Sequence, residues 1–221
     1  MINDTISDRA PEIYKKLFEA RSECSWGHLP VNDAMFDFFE SIQNYTGPVT
    51  EILEIGTNLG FSAMMQLQSN PIANLTTFDK LAWGLFGSRP AVKDRDYRST
   101  RAAGILKLMY GNRIECKVDI SSNIPKYPRI TAKKYTYVFI DGSHVFEYVL
   151  KDIEISLEVL DTQYILIDNM YTPPVKKAVD FFLHINKIEE VISLDYTQKQ
   201  WKDDNTEGIV RTDKITLYRK I

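Results

Sequence analysis

From Thr50 onward the chain alternates short β-prone runs with helical stretches, the pattern of a parallel sheet whose strands are joined by crossover helices. The runs fall at 50–55 (TEILEI), 74–79 (NLTTFD), 113–118 (RIECKV), 135–140 (YTYVFI) and 163–168 (QYILID). The first, fourth and fifth are apolar enough to lie at the centre of a sheet covered on both faces. The fold class is therefore α/β, and 221 residues suit one large domain.

The helical stretches have readable faces. Ile13, Leu17 and Phe18, then Met35, Phe36, Phe39 and Ile42, recur at helical spacing, with Asn32 or Asp33 available as an N-cap, so two helices precede the first strand. Val145, Val149, Ile153, Leu157 and Leu160 make one apolar stripe between the fourth and fifth strands, and Val175, Ala178, Val179, Phe182 and Ile185 make another after the fifth. EEVISLDY, and then GIVRT and ITLYRK, are β-like runs separated by the polar loop QKQWKDDNTEG, which predicts a final antiparallel pair.

Composition removes several function classes. Hydrophobic residues at 44% and charged residues at 26% match a globular chain, and 10 Gly with 9 Pro are too few for a collagenous or low-complexity one. A net charge of −3 offers no bulk attraction for nucleic acid or an anionic membrane. Cys24 and Cys116 lie far apart, with no spacing for a disulfide framework or a structural zinc site. The opening MINDTISDRAPEIYKK has neither a basic leader nor an apolar core, and no run approaches the length of a membrane span. A soluble, unprocessed, cytoplasmic protein is expected.

The first strand runs through Glu54-Ile55-Gly56-Thr57-Asn58-Leu59-Gly60-Phe61-Ser62 into a helix, which sets two glycines at a strand-to-helix turn. Glycine there tolerates positive φ and a close ligand, and the helix start offers free N–H groups; the same glycines can equally serve the geometry of a plain turn. A dinucleotide fingerprint would require glycine at positions 58 and 61, where the chain has Asn58 and Phe61. Asp79 closes the second strand 25 residues after Glu54, where a carboxylate can accept both hydroxyls of a ribose. Asp119 follows the third strand in the same way.

This E-x-G-x-x-x-G arrangement, with acidic residues closing successive strands, resembles motif I and its partners in class I S-adenosylmethionine-dependent methyltransferases. The resemblance covers about Thr50 to Asn186. It implies a Rossmann-like, mostly parallel sheet of seven strands in the order 3-2-1-4-5-7-6, with helices on both faces. The chain then reads as a single methyltransferase domain over 1–221, with 1–48 a helical extension and 81–101, which differs from its surroundings, a lid insertion. The cofactor would be S-adenosyl-L-methionine, held by Glu54, Gly56, Thr57, Gly60 and Ser62 around its methionine part, by Asp79 on the ribose, by Asp119 at the adenine amino group, and by Asp141.

The fourth strand ends in Asp141-Gly142-Ser143-His144 and the fifth in Asp168-Asn169. Neighbouring strands are about 4.8 Å apart, close enough for these oxygens to converge on one ion. Two carboxylates and an amide are hard ligands, suited to Mg²⁺ first and to Mn²⁺ or Ca²⁺ otherwise. Asp141, Asp168 and Asn169 resemble, residue by residue, the ligands of the metal-dependent O-methyltransferases related to catechol O-methyltransferase. The Asp-Gly-Ser-His string is also similar to a bacterial and viral group of methyltransferases, some of which methylate sugar hydroxyls with a metal. The resemblance implies O-methylation of a small molecule or sugar, with Asp141 and His144 at the chemistry. His144 falls where the catechol enzymes carry a lysine, so it is the candidate general base. Alternatively, Asp141 caps the next helix and His144 is a surface residue of its first turn.

Residues 87–107 hold Arg89, Lys93, Arg95, Arg98, Arg101 and Lys107 against Asp94 and Asp96. Introduced by Leu81, Trp83, Leu85 and Phe86, the segment reads either as a lid recognising an anionic substrate or as a solvated helix face. Trp26, Gly27 and His28, before Leu29-Pro30, and Tyr171 to Pro174 are candidate acceptor-pocket walls, or else ordinary anchors and a helix start. Two other readings stand beside the metal-assisted one. One is a metal-independent methyltransferase for an anionic or phosphorylated acceptor; the other is a non-catalytic binding module. The oligomeric state, monomer or homodimer, stays open.

Overall fold

The computed structural model describes residues 8–9, 12–13, 16–17, 30–58, 60–80, 102–200 and 209–221, with the backbone alone for 198–200 and 209–210. Helix α1 (Asp33–Ser41) starts where Asn32 accepts a hydrogen bond from the Met35 amide at 3.0 Å, the N-cap that the sequence offered. Strand β1 (Glu51–Ile55) leads through the glycine turn to α2 (Phe61–Ser69) and β2 (Asn74–Asp79). Helix α3 (102–110), β3 (Ile114–Val118), β4 (Tyr137–Ile140) and α4 (Phe146–Glu154) follow, the last continuing as a π-helical turn over Ile155–Val159. Strand β5 (Tyr164–Ile167), α5 (Pro173–His184), β6 (Ile188–Gln200) and β7 (Ile209–Lys220) complete the chain.

The seven strands form one sheet in the order β3-β2-β1-β4-β5-β7-β6. Every pairing from β3 to β5 is parallel, and β7 enters antiparallel to both β5 and β6. Alternation along the strands divides the core. Ile52, Tyr137, Phe139 and Leu166 face α1, α2 and α3 together with Ile13 and Leu17, whereas Leu53, Ile55, Val138, Ile140, Ile165 and Ile167 face α4 and α5. The three strands read as central are central.

Some details differ from the sequence reading. Val145 and Ile185, at the ends of the two apolar stripes, are exposed, because α4 begins only at Phe146 and α5 ends at His184. The last β-like run is one strand over Ile209–Lys220, antiparallel to β6 as expected, but β6 runs to Gln200, into the stretch read as loop. Phe18, Trp26 to Leu29 and the insertion 81–101 lie outside the described residues. Among the described residues, no helix is long and apolar enough to cross a membrane.

Candidate active site at the strand ends

Parallel pairing aligns the carboxyl ends of four strands. Ile55 pairs with Phe78 on one side and Ile140 on the other, and Ile140 pairs with Ile167. The next residues, Gly56, Asp79, Asp141 and Asp168, therefore form one row. Backbone bonds carry the sheet to this level: Gly56 N to Phe78 O at 2.8 Å, Asp141 N to Ile55 O at 2.9 Å and Asp168 N to Ile140 O at 3.1 Å. The sheet's order reverses between β1 and β4, and in open α/β sheets the ligand crevice lies at such a point.

Gly56 has φ +94, and a Cβ there would sit 2.2 Å from the Asp141 carbonyl oxygen. What demands glycine at this position is thus the neighbouring loop after β4, which the turn packs against backbone to backbone. Gly60 has φ +79, and a Cβ there would come within 2.6 Å of the Leu106 side chain. Asn58 also has positive φ, and its amide donates to Asp79 Oδ2 at 2.6 Å, so the carboxylate closing β2 holds the glycine turn in shape.

Glu54 is fully buried on the α2 side of β1. One carboxyl oxygen, Oε1, accepts from Ser62 Oγ at 2.7 Å and Gln66 Nε2 at 2.9 Å, while Gln66 Oε1 accepts from the Tyr137 hydroxyl at 3.0 Å. The other oxygen, Oε2, and the buried Thr57 hydroxyl have no partner. Burial pushes the Glu54 carboxyl up to about 8, against the opposing effect of the Ser62 hydrogen bond, with the charges of Asp141 and Asp79 adding to the rise. Orphaned polar atoms of this kind, next to a positive-φ turn, fit a polar ligand. Sequence reasoning missed Gln66; its signal was the i, i+4 spacing from Ser62 on one helix face.

Asp119 is engaged locally. Its oxygens accept from the Ile120 amide and Asn123 Nδ2, both at 2.8 Å, and from the Tyr127 hydroxyl at 2.6 Å, which hold the carboxyl below its usual range.

After β4, the N-cap of α4 is Val145 and no side chain caps it, so the reading of Asp141 as a helix cap does not hold. Asp141 instead lies 3.9 Å from His144 Nε2. Burial raises the Asp141 carboxyl, and Asp141 in turn raises His144, to which the Asn169 side chain adds a smaller rise. Asp168 is buried; its surroundings and then the charge of Asp141 push it well above the ordinary carboxylate range, while the Tyr196 hydroxyl donates to its Oδ1 at 2.6 Å. Asp141, Asp168 and Asn169, with the half-exposed His144 beside them, thus gather at the strand ends, joined by Asp213 and Tyr196 from the β6/β7 hairpin, which the sequence reading did not select.

No lysine or arginine among the described residues pairs with Asp141, Asp168 or Asp213 within 4.0 Å. Carboxylates crowded without a strong cation, Asp168 and Asp213 buried and Asp141 partly so, fit a hard divalent ion. Among the described residues no three His, Cys, Asp or Glu side chains are grouped to hold an ion, so a site here depends on the Asn169 amide oxygen. Of the basic segment, Lys107 donates to the Ile114 carbonyl at 3.1 Å, a structural role, and the arginines and Lys93 lie outside the described residues.

Residues 53–170 match the family model described as Methyltransferase domain. No curated protein sequence matches the chain. Among solved structures, the O-methyltransferase TomG from Streptomyces achromogenes, involved in tomaymycin synthesis and bound to S-adenosylmethionine, is similar with a TM-score of 0.64. It has 16% identity, over 96% of this chain and 90% of that one. An O-methyltransferase from Bacillus cereus, in complex with S-adenosylhomocysteine, has a TM-score of 0.58 and 12% identity over 99% and 94%. A mutein of the branched-chain polyamine synthase from Thermus thermophilus has a TM-score of 0.59 and 13% identity over 94% and 64%. Likeness at these identities establishes the fold, which hosts more than one chemistry.

Proposed function

The chain belongs to the Methyltransferase domain family and is a class I S-adenosylmethionine-dependent methyltransferase, and we propose that it methylates a hydroxyl oxygen of a small molecule or sugar with the help of a divalent cation. The observation that carries this reading is the single row of Gly56, Asp79, Asp141 and Asp168 across four strand ends at the sheet's switch point.

In this reading the glycine turn, with Thr57, Ser62 and the orphaned oxygen of Glu54, binds the methionine part of the cofactor. Asp79, already fixed by the Asn58 amide, takes the ribose hydroxyls, and Asp119 marks the adenine end. Asp141, Asp168 and Asn169 hold the ion, with Mg²⁺ the first choice. When bound, that ion lowers the pKa of an acceptor hydroxyl and fixes its oxygen. His144 stands beside Asp141, which strengthens its affinity for a proton, and it takes the proton from the hydroxyl. The oxygen–carbon bond forms as the sulfur–carbon bond of the sulfonium breaks, leaving S-adenosylhomocysteine. The segment 81–101 is the lid of this proposal, 1–48 its helical extension and the cytoplasm its setting, since neither cysteine is spaced for a disulfide framework.

Transfer of labelled methyl from S-adenosylmethionine to a panel of catechols and sugars, with Mg²⁺ or with EDTA, tests the reaction class. EDTA should abolish transfer, and Asp168→Ala should lower turnover about 100-fold or more while leaving S-adenosylhomocysteine affinity within about threefold. Turnover that ignores EDTA and survives Asp168→Ala would point to metal-independent transfer instead.

A further inference from the structure

The ion site of the proposed function needs an amide oxygen from Asn169, yet a carboxamide presents either its oxygen or its NH₂ to a cleft, and only the oxygen serves a cation. The structure fixes which. Asn169 Nδ2 donates to Asp213 Oδ2 at 3.0 Å and to the Tyr196 hydroxyl at 3.3 Å. Tyr196 commits its own hydrogen to Asp168 Oδ1 at 2.6 Å, so toward Asn169 it can only accept, as the Asp213 carboxylate can. Both amide hydrogens are thereby used on the hairpin side, which leaves the carbonyl oxygen on the opposite side of the carboxamide. Both Asp213 oxygens are engaged in holding the hairpin and the turn together: Oδ2 accepts from Asn169, and Oδ1 accepts from the Tyr171 amide at 3.0 Å and the Lys214 amide at 2.9 Å. All four side chains are buried, Asp213 at 6% exposure, Asn169 at 6%, Asp168 at 5% and Tyr196 at 3%. Asn169 also sits at φ +58, in a turn tied to β7 by Met170 N to Lys214 O at 2.9 Å.

We propose that Asp213, assisted by Tyr196, is a positioning residue that orients the Asn169 carboxamide so that its oxygen, and not its nitrogen, faces the cleft as a cation donor. This rests on the metal reading above and extends it to the hairpin, a part of the fold outside the conventional strand-end positions. Replacement of Asp213 by Asn keeps an acceptor for the Tyr171 and Lys214 amides but lets position 213 donate, so the Asn169 amide is free to turn over. Exchanging both residues, Asn169→Asp with Asp213→Asn, restores a one-way hydrogen bond with the polarity reversed and leaves a carboxylate oxygen for the cation.

The test is Mn²⁺ binding followed by electron paramagnetic resonance, with S-adenosylhomocysteine affinity and melting temperature measured on the same samples. Asp213→Asn should weaken Mn²⁺ about tenfold or more, with S-adenosylhomocysteine affinity unchanged, and the double exchange should recover most of the loss. Equal Mn²⁺ affinity in wild type and Asp213→Asn overturns the positioning role while leaving the metal reading intact. A wild type that binds S-adenosylhomocysteine but no Mn²⁺ overturns both. Should Asp213→Asn fail to fold, Asn169→Asp alone, which sets two carboxylates against each other, is compared with the double exchange; tighter Mn²⁺ binding in the double exchange supports the role and equal binding overturns it.

Discussion

The Glu54 carboxyl is shut away from water with two donors on one oxygen and none on the other. Its pKa of about 8, against an ordinary 4.5, means that the native state holds this proton more tightly than the unfolded chain. The stabilisation is complete below the ordinary value and is lost as pH rises toward about 8. Ligand-free Glu54→Gln, which cannot ionise, should therefore melt close to wild type near pH 5 and several degrees above it near pH 8.5, by about the shift that a few kcal/mol gives; parallel melting profiles across that range would contradict the account. Gly56→Ala meets both a φ of +94 and the Asp141 carbonyl at 2.2 Å, so urea unfolding should show a loss of about 3 kcal/mol or more, and an unchanged midpoint would show that the two loops are not in contact. At this scale the sequence was readable where a residue's position along a strand decides its place, as with Glu54, Asp79, Asp141 and Asp168. It was unreadable where partnership crosses the chain: Asp213 lies 44 residues from Asn169, and nothing local marks it as that amide's partner.

Strands were legible because a central strand buries both faces and must be largely apolar, as β4 and β5 are throughout and β1 is apart from Glu51 and Glu54. Strand β7 carries a polar stretch, Thr212-Asp213-Lys214, in its middle and continues through it, with Asp213 buried and hydrogen-bonded. Helix ends were less readable, since apolar spacing runs past the hydrogen-bonded segment, and so Val145 and Ile185 carry the stripe but not the burial. Hydrogen exchange tests the element hierarchy. Amides of 53–55, 138–140 and 165–167 should exchange slowest, and those of β3, an edge strand whose residues are mostly not buried, about 100-fold faster or more. Comparable protection in β3 and β4 would contradict the layered core.

For the molecule as a whole, two core faces on one sheet fix the strand ends at a common level, and the candidate site is what those ends present. The segments proposed to shape an acceptor pocket include 81–101 and 26–29, whose sequence carries charge and aromatic residues but no periodicity from which a shape follows. The acceptor was therefore the least legible feature of the chain, and the cofactor the most legible. The most direct test of the central claim needs no acceptor: calorimetric titration of S-adenosylhomocysteine into wild type and Asp79→Ala. The account predicts micromolar binding by wild type and affinity about tenfold weaker or worse in Asp79→Ala, because that residue holds the glycine turn through Asn58 and, in the proposed function, takes the ribose hydroxyls. Absence of binding by wild type, or equal binding by the two proteins, would contradict it.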